Sequence, residues 1–161
     1  MKILVTYFSR SGYTQRAAEK LAKALDAQIA PIEEARPRDG VSGYVRSLFE
    51  ALRGRDATIR AMRKEPADFD LVLIGTPVWA SHASSPARAF ARMYGPKIKR
   101  SALFCTMGGR GAEPALEELA RLVGSPPVAT LALTDRELDA GRGADKLARF
   151  ARALRAETAV S

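Results

Sequence analysis

Three short runs of this chain are apolar or β-branched at every position: Ile3-Leu4-Val5-Thr6-Tyr7-Phe8, Leu71-Val72-Leu73-Ile74 and Ala102-Leu103-Phe104-Cys105. A strand with one wet face alternates apolar and polar residues. A continuous run suits a strand covered on both faces, as strands of a parallel sheet are. Between the runs, apolar residues recur at helical spacing. Ala17, Ala18, Leu21, Ala22 and Leu25 form one stripe of a helix predicted over 14–25. Further helices are predicted over 44–52, from 85 to about 94, over 113–123 and over 143–156. Ser85-Pro86 reads as an N-cap followed by the first helical residue. Weaker strands are expected at 28–32 and 128–133. Residues 33–43 and 53–67, charged and in part broken by Pro and Gly, read as irregular. Five strands alternating with helices predict a three-layer α/β/α fold with a five-stranded parallel sheet, in one domain over 1–161.

Composition removes several functional classes. The single cysteine, Cys105, excludes an internal disulfide framework, and with the single histidine, His82, it excludes multi-Cys and two-His metal sites. The opening MKILVTYF has too short an apolar stretch for a secretory signal, and no run approaches a membrane span. A soluble, cytoplasmic protein is expected.

Charge is the unusual quantity. There are 26 Lys+Arg against 18 Asp+Glu, a net +8. Residues 86–110 hold six of the cations, Arg88, Arg92, Lys97, Lys99, Arg100 and Arg110, and no acid. That stretch reads either as a solvated face or as an anion-attracting rim. Zinc-finger and RNA-recognition signatures are absent, and no nucleic-acid partner is expected.

In an open parallel sheet, ligands bind beyond the carboxyl ends of the strands. Three segments follow the strong strands. Ser9-Arg10-Ser11-Gly12-Tyr13-Thr14 brings three hydroxyls and a glycine to a helix N-terminus, where backbone N–H groups and the helix dipole hold a phosphate. The dinucleotide and triphosphate glycine motifs are absent there, so the loop suits the terminal phosphate of a mononucleotide, or is a plain polar turn. Gly75-Thr76-Pro77-Val78-Trp79-Ala80-Ser81-His82 reads as a loop carrying the only Trp, which either flanks a planar ligand or plugs the core. Thr106-Met107-Gly108-Gly109-Arg110-Gly111 allows close backbone approach to a ligand, or is a flexible turn. Only four residues separate Cys105 from Arg110, one short of a C-x5-R phosphatase loop.

Together, S-R-S-G-Y-T, I-G-T-P-V-W-A with its following S-S-P, and F-C-T-M-G-G-R-G resemble the three cofactor loops of the flavodoxin-like FMN-binding family. The segment from Gly43-Tyr44-Val45-Arg46 to Leu52-Arg53-Gly54 also resembles that family, and the likeness covers about residues 1–125. It implies a doubly wound sheet of order 2-1-3-4-5 with FMN as cofactor. It also implies roles. Ser9, Ser11 and Thr14, with the backbone of Arg10, Gly12 and Tyr13, would hold the FMN phosphate. Pro77, Val78, Trp79 and Ala80 would line one side of the isoalloxazine ring. Thr106, Met107, Gly108 and Gly109, through to Gly111, would offer backbone groups to the pyrimidine edge.

Two departures bear on function. Electron-carrying flavodoxins are acidic, whereas this chain is basic, and Met107 stands where an outer-face aromatic often sits. Both favour an NAD(P)H-dependent FMN oxidoreductase passing electrons to a quinone or similar acceptor. The alternatives are a flavodoxin-type electron carrier for a protein partner and an FMN-binding module without turnover. The rim of Arg88, Arg92 and Arg110 would attract the phosphates of a nicotinamide cofactor or an acidic partner. A homo-oligomer is compatible with this class.

Overall fold

The computed structural model describes residues 1–35, 45 and 57–160. In chain order the elements are β1 (Ile3–Tyr7), α1 (Tyr13–Leu25), β2 (Gln28–Pro31), β3 (Leu71–Trp79), β4 (His82–Ala83), α2 (Ser85–Tyr94), β5 (Ser101–Met107), α3 (Ala112–Val123), β6 (Thr130–Thr134), α4 (Asp135–Asp139) and α5 (Gly143–Ala159). The helix expected over 44–52, and the Gly43 to Gly54 likeness, lie outside the described residues apart from Val45.

The parallel strands run β2-β1-β3-β5-β6, which is the expected doubly wound order once β4 is set aside. β4 is a two-residue antiparallel partner of β3. Side chains of a strand alternate between faces, and both faces here are covered. Val5, Tyr7, Leu71 and Leu73 pack with Leu21 of α1 and Leu154 of α5. Leu4, Phe8, Val72 and Ile74 pack with Phe90 of α2 and Leu119 of α3. That double coverage is why these strands are apolar without alternation.

Gly75 and Phe104 are paired across β3 and β5. The tip of the Phe104 ring lies against the glycine, so a Cβ there would fall 2.2 Å from its Cζ. Cys105, one residue on, is buried, and burial pushes its thiol up to about 12. The thiolate is the reactive form. The folded protein is therefore expected to be silent to a thiol-disulfide reagent near about pH 8, and to release its one thiol only in denaturant.

Four sequence expectations change. Residues 75–79 are not loop: β3 continues to Trp79, paired with β5 as far as Pro77↔Thr106. A proline is tolerated inside this central strand because of where its missing N–H would point. The Gly75 carbonyl accepts from Phe8 N–H, so residues 75 and 77 face the β1 side, and the β1 register ends at Tyr7↔Gly75. The N-cap of α2 is Ser84, not Ser85, and its hydroxyl accepts from Ala87 N–H. Thr76 selects it: the Thr76 hydroxyl donates to Ser84 Oγ at 3.0 Å and accepts from Ser84 N–H at 2.9 Å. The last strand begins two residues later than expected, and α5 ends three residues later.

Candidate functional site

β1 leads to β2 on one side and β3 leads to β5 on the other, so the chain changes direction between β1 and β3. In a sheet of this kind the crevice at that switch point, beyond the strand ends, takes the ligand. The β1–α1 loop, the β3–β4 hairpin and the β5–α3 loop all lie at this edge.

The β1–α1 loop is built around Gly12, which caps α1 with φ 97°. That left-handed conformation is natural only to glycine. Gly12 N–H donates to Ser9 Oγ at 3.1 Å, which leaves the Ser9 hydroxyl proton to give. Among the described residues no side chain caps the first turn of α1, and Arg10 and Ser11 are exposed beside it. Free first-turn N–H groups flanked by hydroxyls suit an anion. Thr14 faces inward: its hydroxyl is buried, 2.8 Å from Thr106 Oγ1. It therefore ties the first loop to the end of β5.

Tyr13 points sideways to α4. Its hydroxyl donates to Asp139 Oδ2 at 2.7 Å, and Arg16 donates to Asp139 Oδ1 at 3.0 Å and to the Leu138 carbonyl. These donors, Tyr13 first and Arg16 second, hold the Asp139 carboxyl below its ordinary range. The same hydrogen bond raises Tyr13. The short α4 is thereby clamped to the start of α1.

The β3–β4 hairpin turns on Ala80 and Ser81, with φ 49° and 65°. Two positive values in a two-residue loop are the signature of a type I′ turn, which Asn-Gly usually fills. Non-glycine residues hold such values only where neighbours enforce them, and the neighbours are present. Glu118 of α3 accepts Ala83 N–H at 3.1 Å on one carboxylate oxygen and meets His82 Nδ1 at 2.8 Å on the other. Arg88 donates to the Ala83 carbonyl at 3.2 Å and lies 3.9 Å from Glu118. Trp79, half-buried, meets Phe8 edge to face with ring centroids 5.6 Å apart. It joins the α2–α3 core, as a packing plug does, and still presents surface at this edge.

The β5–α3 loop closes against the hairpin. A Cβ on Gly111 would lie 3.0 Å from Ser81 Cα and from Val78 Cγ1, so only a glycine, here with φ 96°, permits this approach. Gly108 and Gly109 border open space instead. Pro77, Val78, Trp79 and Ala80 thus stand beside Thr106, Met107, Gly108, Gly109 and Gly111, with Ser9 to Thr14 on the other side. The arrangement can seat a phosphate at α1 and a flat group between hairpin and glycine loop. Glu118 and Asp139 support it from a distance and were not evident in the sequence, and Arg88, read there as part of a rim, supports it as well. His82 stood next to the hairpin but gave no sign of its partner.

The basic stretch 86–110 is not one rim. Arg88 is 1% exposed and lies inside the hairpin support. Lys97, Lys99 and Arg100 precede β5, at the edge where the strands begin, and Arg100 pairs with Glu157. Only Arg110 of this stretch lies in a site loop. A helix carries the chain from one edge of the sheet to the other, so charges close in sequence are spread across the molecule.

The family described as Flavodoxin matches residues 2–133. The chain belongs to the flavodoxin family. Among solved structures this flavodoxin-family chain is similar to a flavoprotein from Lactobacillus acidophilus in complex with FMN, at 23% identity and TM-score 0.71, covering 86% of this chain and 96% of that one. It is similar to a chain from Bacteroides eggerthii described as a flavoprotein, at 28% identity and TM-score 0.70, covering 90% and 97%. Likeness extends to the flavodoxin of Megasphaera elsdenii, at 17% identity and TM-score 0.58, covering 94% and 96%. No curated protein sequence matches the chain. Among the described residues of this family member, no helix is long and apolar enough to cross a membrane.

Proposed function

We propose that the protein binds FMN without a covalent bond and works as a flavin-dependent oxidoreductase between NAD(P)H and a quinone or similar acceptor. The observation that carries this reading is the meeting of three braced loops at the sheet's switch point, in a chain of the flavodoxin family. The donor set fits FMN: uncapped amides and the hydroxyls of Ser9 and Ser11 for a phosphate, and glycine backbone beside a half-buried tryptophan for a flat ring. Bound FMN supplies redox chemistry that no amino-acid side chain here provides.

The chain's own part is positioning. The first turn of α1 holds the phosphate end. Pro77 to Ala80 form a rigid wall, because they belong to a strand and a braced turn. Gly108 and Gly109 present backbone to the opposite edge, with no side chain over it. Met107, half-buried at the end of β5, stands where an aromatic would cover the ring and would leave room for a second flat molecule. That room, with a net charge of +8, favours a reductase over an electron carrier of acidic type.

The test is an absorption spectrum of the purified protein, before and after adding FMN and then NAD(P)H without oxygen. A flavin spectrum that bleaches with NAD(P)H is expected. A protein that neither carries nor takes up FMN sinks the reading. Uptake without bleaching moves the assignment to the electron carrier.

A further inference from the structure

Away from the strand-end edge, α1 and α5 lie side by side on one face of the sheet and leave an open groove of roughly 660 Å³ between them. Its walls carry Lys20 and Lys23 from α1 and Arg152 and Arg155 from α5, all exposed. Its floor is Ala24, Ala148 and Ala151, and among the described residues no acid lines it. Arg155 donates to the Ala24 carbonyl across the groove. Two acids on the same helices are engaged elsewhere: Glu19 accepts from Gln15, and Glu157 pairs with Arg100. Among the described residues, no ion pair involves the four groove cations.

Four like charges facing one another destabilise the free fold, and an anion in the groove relieves that repulsion. We infer that this groove is a docking site for an acidic segment of a partner protein, a ridge or helix bearing several carboxylates. Shape selects this class. Packed helix axes lie about 8–10 Å apart, so the groove accepts carboxylate side chains projecting from a segment laid along it. A bilayer is flat, and the exposed large apolar residues, Met1, Val45, Met93 and Val160, all lie outside the groove, which therefore offers none for insertion. Lys20 is seven residues beyond Tyr13, which at 1.5 Å per residue is about 10 Å along α1. The docking site therefore anchors a partner while leaving the strand-end edge open, and it stands whether or not FMN binds there.

The probe is a labelled poly-L-glutamate of about 20 residues, followed by fluorescence anisotropy near 20 mM salt, where screening is weak over about 20–30 Å. The purified full chain is compared with Lys20→Glu/Arg152→Glu and with a charge-matched control, Lys97→Glu/Lys99→Glu, outside the groove at the edge where the strands begin. All four positions are exposed, so the fold is expected to survive each change. The groove pair is expected to lose about tenfold in affinity and the control less than about twofold. Equal losses in both variants would mean that net charge alone binds the probe, and would overturn the inference. So would an absence of binding by the unaltered chain. Tighter, groove-dependent binding of duplex DNA or phosphatidylserine vesicles would also overturn it.

Discussion

Replacing Gly75 with alanine is expected to remove about 3 kcal/mol of stability, seen as a urea midpoint lowered by about 1.5 M. The added methyl would lie 2.2 Å from Phe104 Cζ and 2.4 Å from Cε2. Neither partner has room to yield. The Phe104 ring is fully buried against the α1–α5 core, and Gly75 sits in the middle of the sheet, paired to Tyr7 and to Phe104. Overpacked cores of this kind respond by pushing side chains off their rotamers. A double variant separates this clash from a backbone effect. Phe104→Leu is expected to cost stability alone, yet to recover at least half of the alanine penalty when combined with it, a coupling that independent sites do not show. Additive losses would rule out the ring-over-glycine explanation.

Replacing Glu118 with alanine is expected to cost about 2 kcal/mol and to weaken FMN binding about tenfold. The carboxylate does three things. It accepts Ala83 N–H, it meets His82 Nδ1, and it stands opposite the buried Arg88 guanidinium. Without it, one wall of the hairpin is open and the left-handed Ala80 and Ser81 relax toward commoner conformations. Glu118→Gln keeps an oxygen for Ala83 N–H and loses the charge beside Arg88, so it is expected to fall between alanine and the unaltered chain. The measurements are thermal stability and an FMN titration followed by fluorescence quenching. A Glu118→Ala protein that binds FMN as the unaltered chain does would show that the hairpin needs no such brace. Failure of the unaltered chain to bind FMN would count against the flavin assignment instead.

The sheet was legible because its evidence is local. Strands covered on both faces need apolar residues at successive positions, and the runs at β1, β3 and β5 supply them. The site loops were legible for a related reason: serines, glycines and a lone tryptophan collect just past those runs. What escaped notice depends on pairings between distant residues. Tyr13 reaches Asp139 across 126 positions, and His82 reaches Glu118 across 36. No periodicity links such residues. The hairpin was hidden because Ala80-Ser81 lacks the glycine or asparagine that marks a type I′ turn. The choice between Ser84 and Ser85 as cap rests on the Thr76 hydroxyl, eight residues earlier. The basic stretch misled because linear density of charge says nothing of direction: α2 alone carries the chain about 15 Å.

The hydrogen bond between Thr14 and Thr106, and the contact of Gly111 with Ser81, join the three loops to one another in pairs. Each loop is thus held by its neighbours before anything is bound between them. Ordering a side chain at a binding surface otherwise costs about 0.5–1.5 kcal/mol. At these two junctions that entropy is lost when the chain folds, so a ligand at this edge has less to order there, while the exposed Gly108 and Gly109 border open space. Discrimination at the braced junctions then rests on fit to an outline that folding has set.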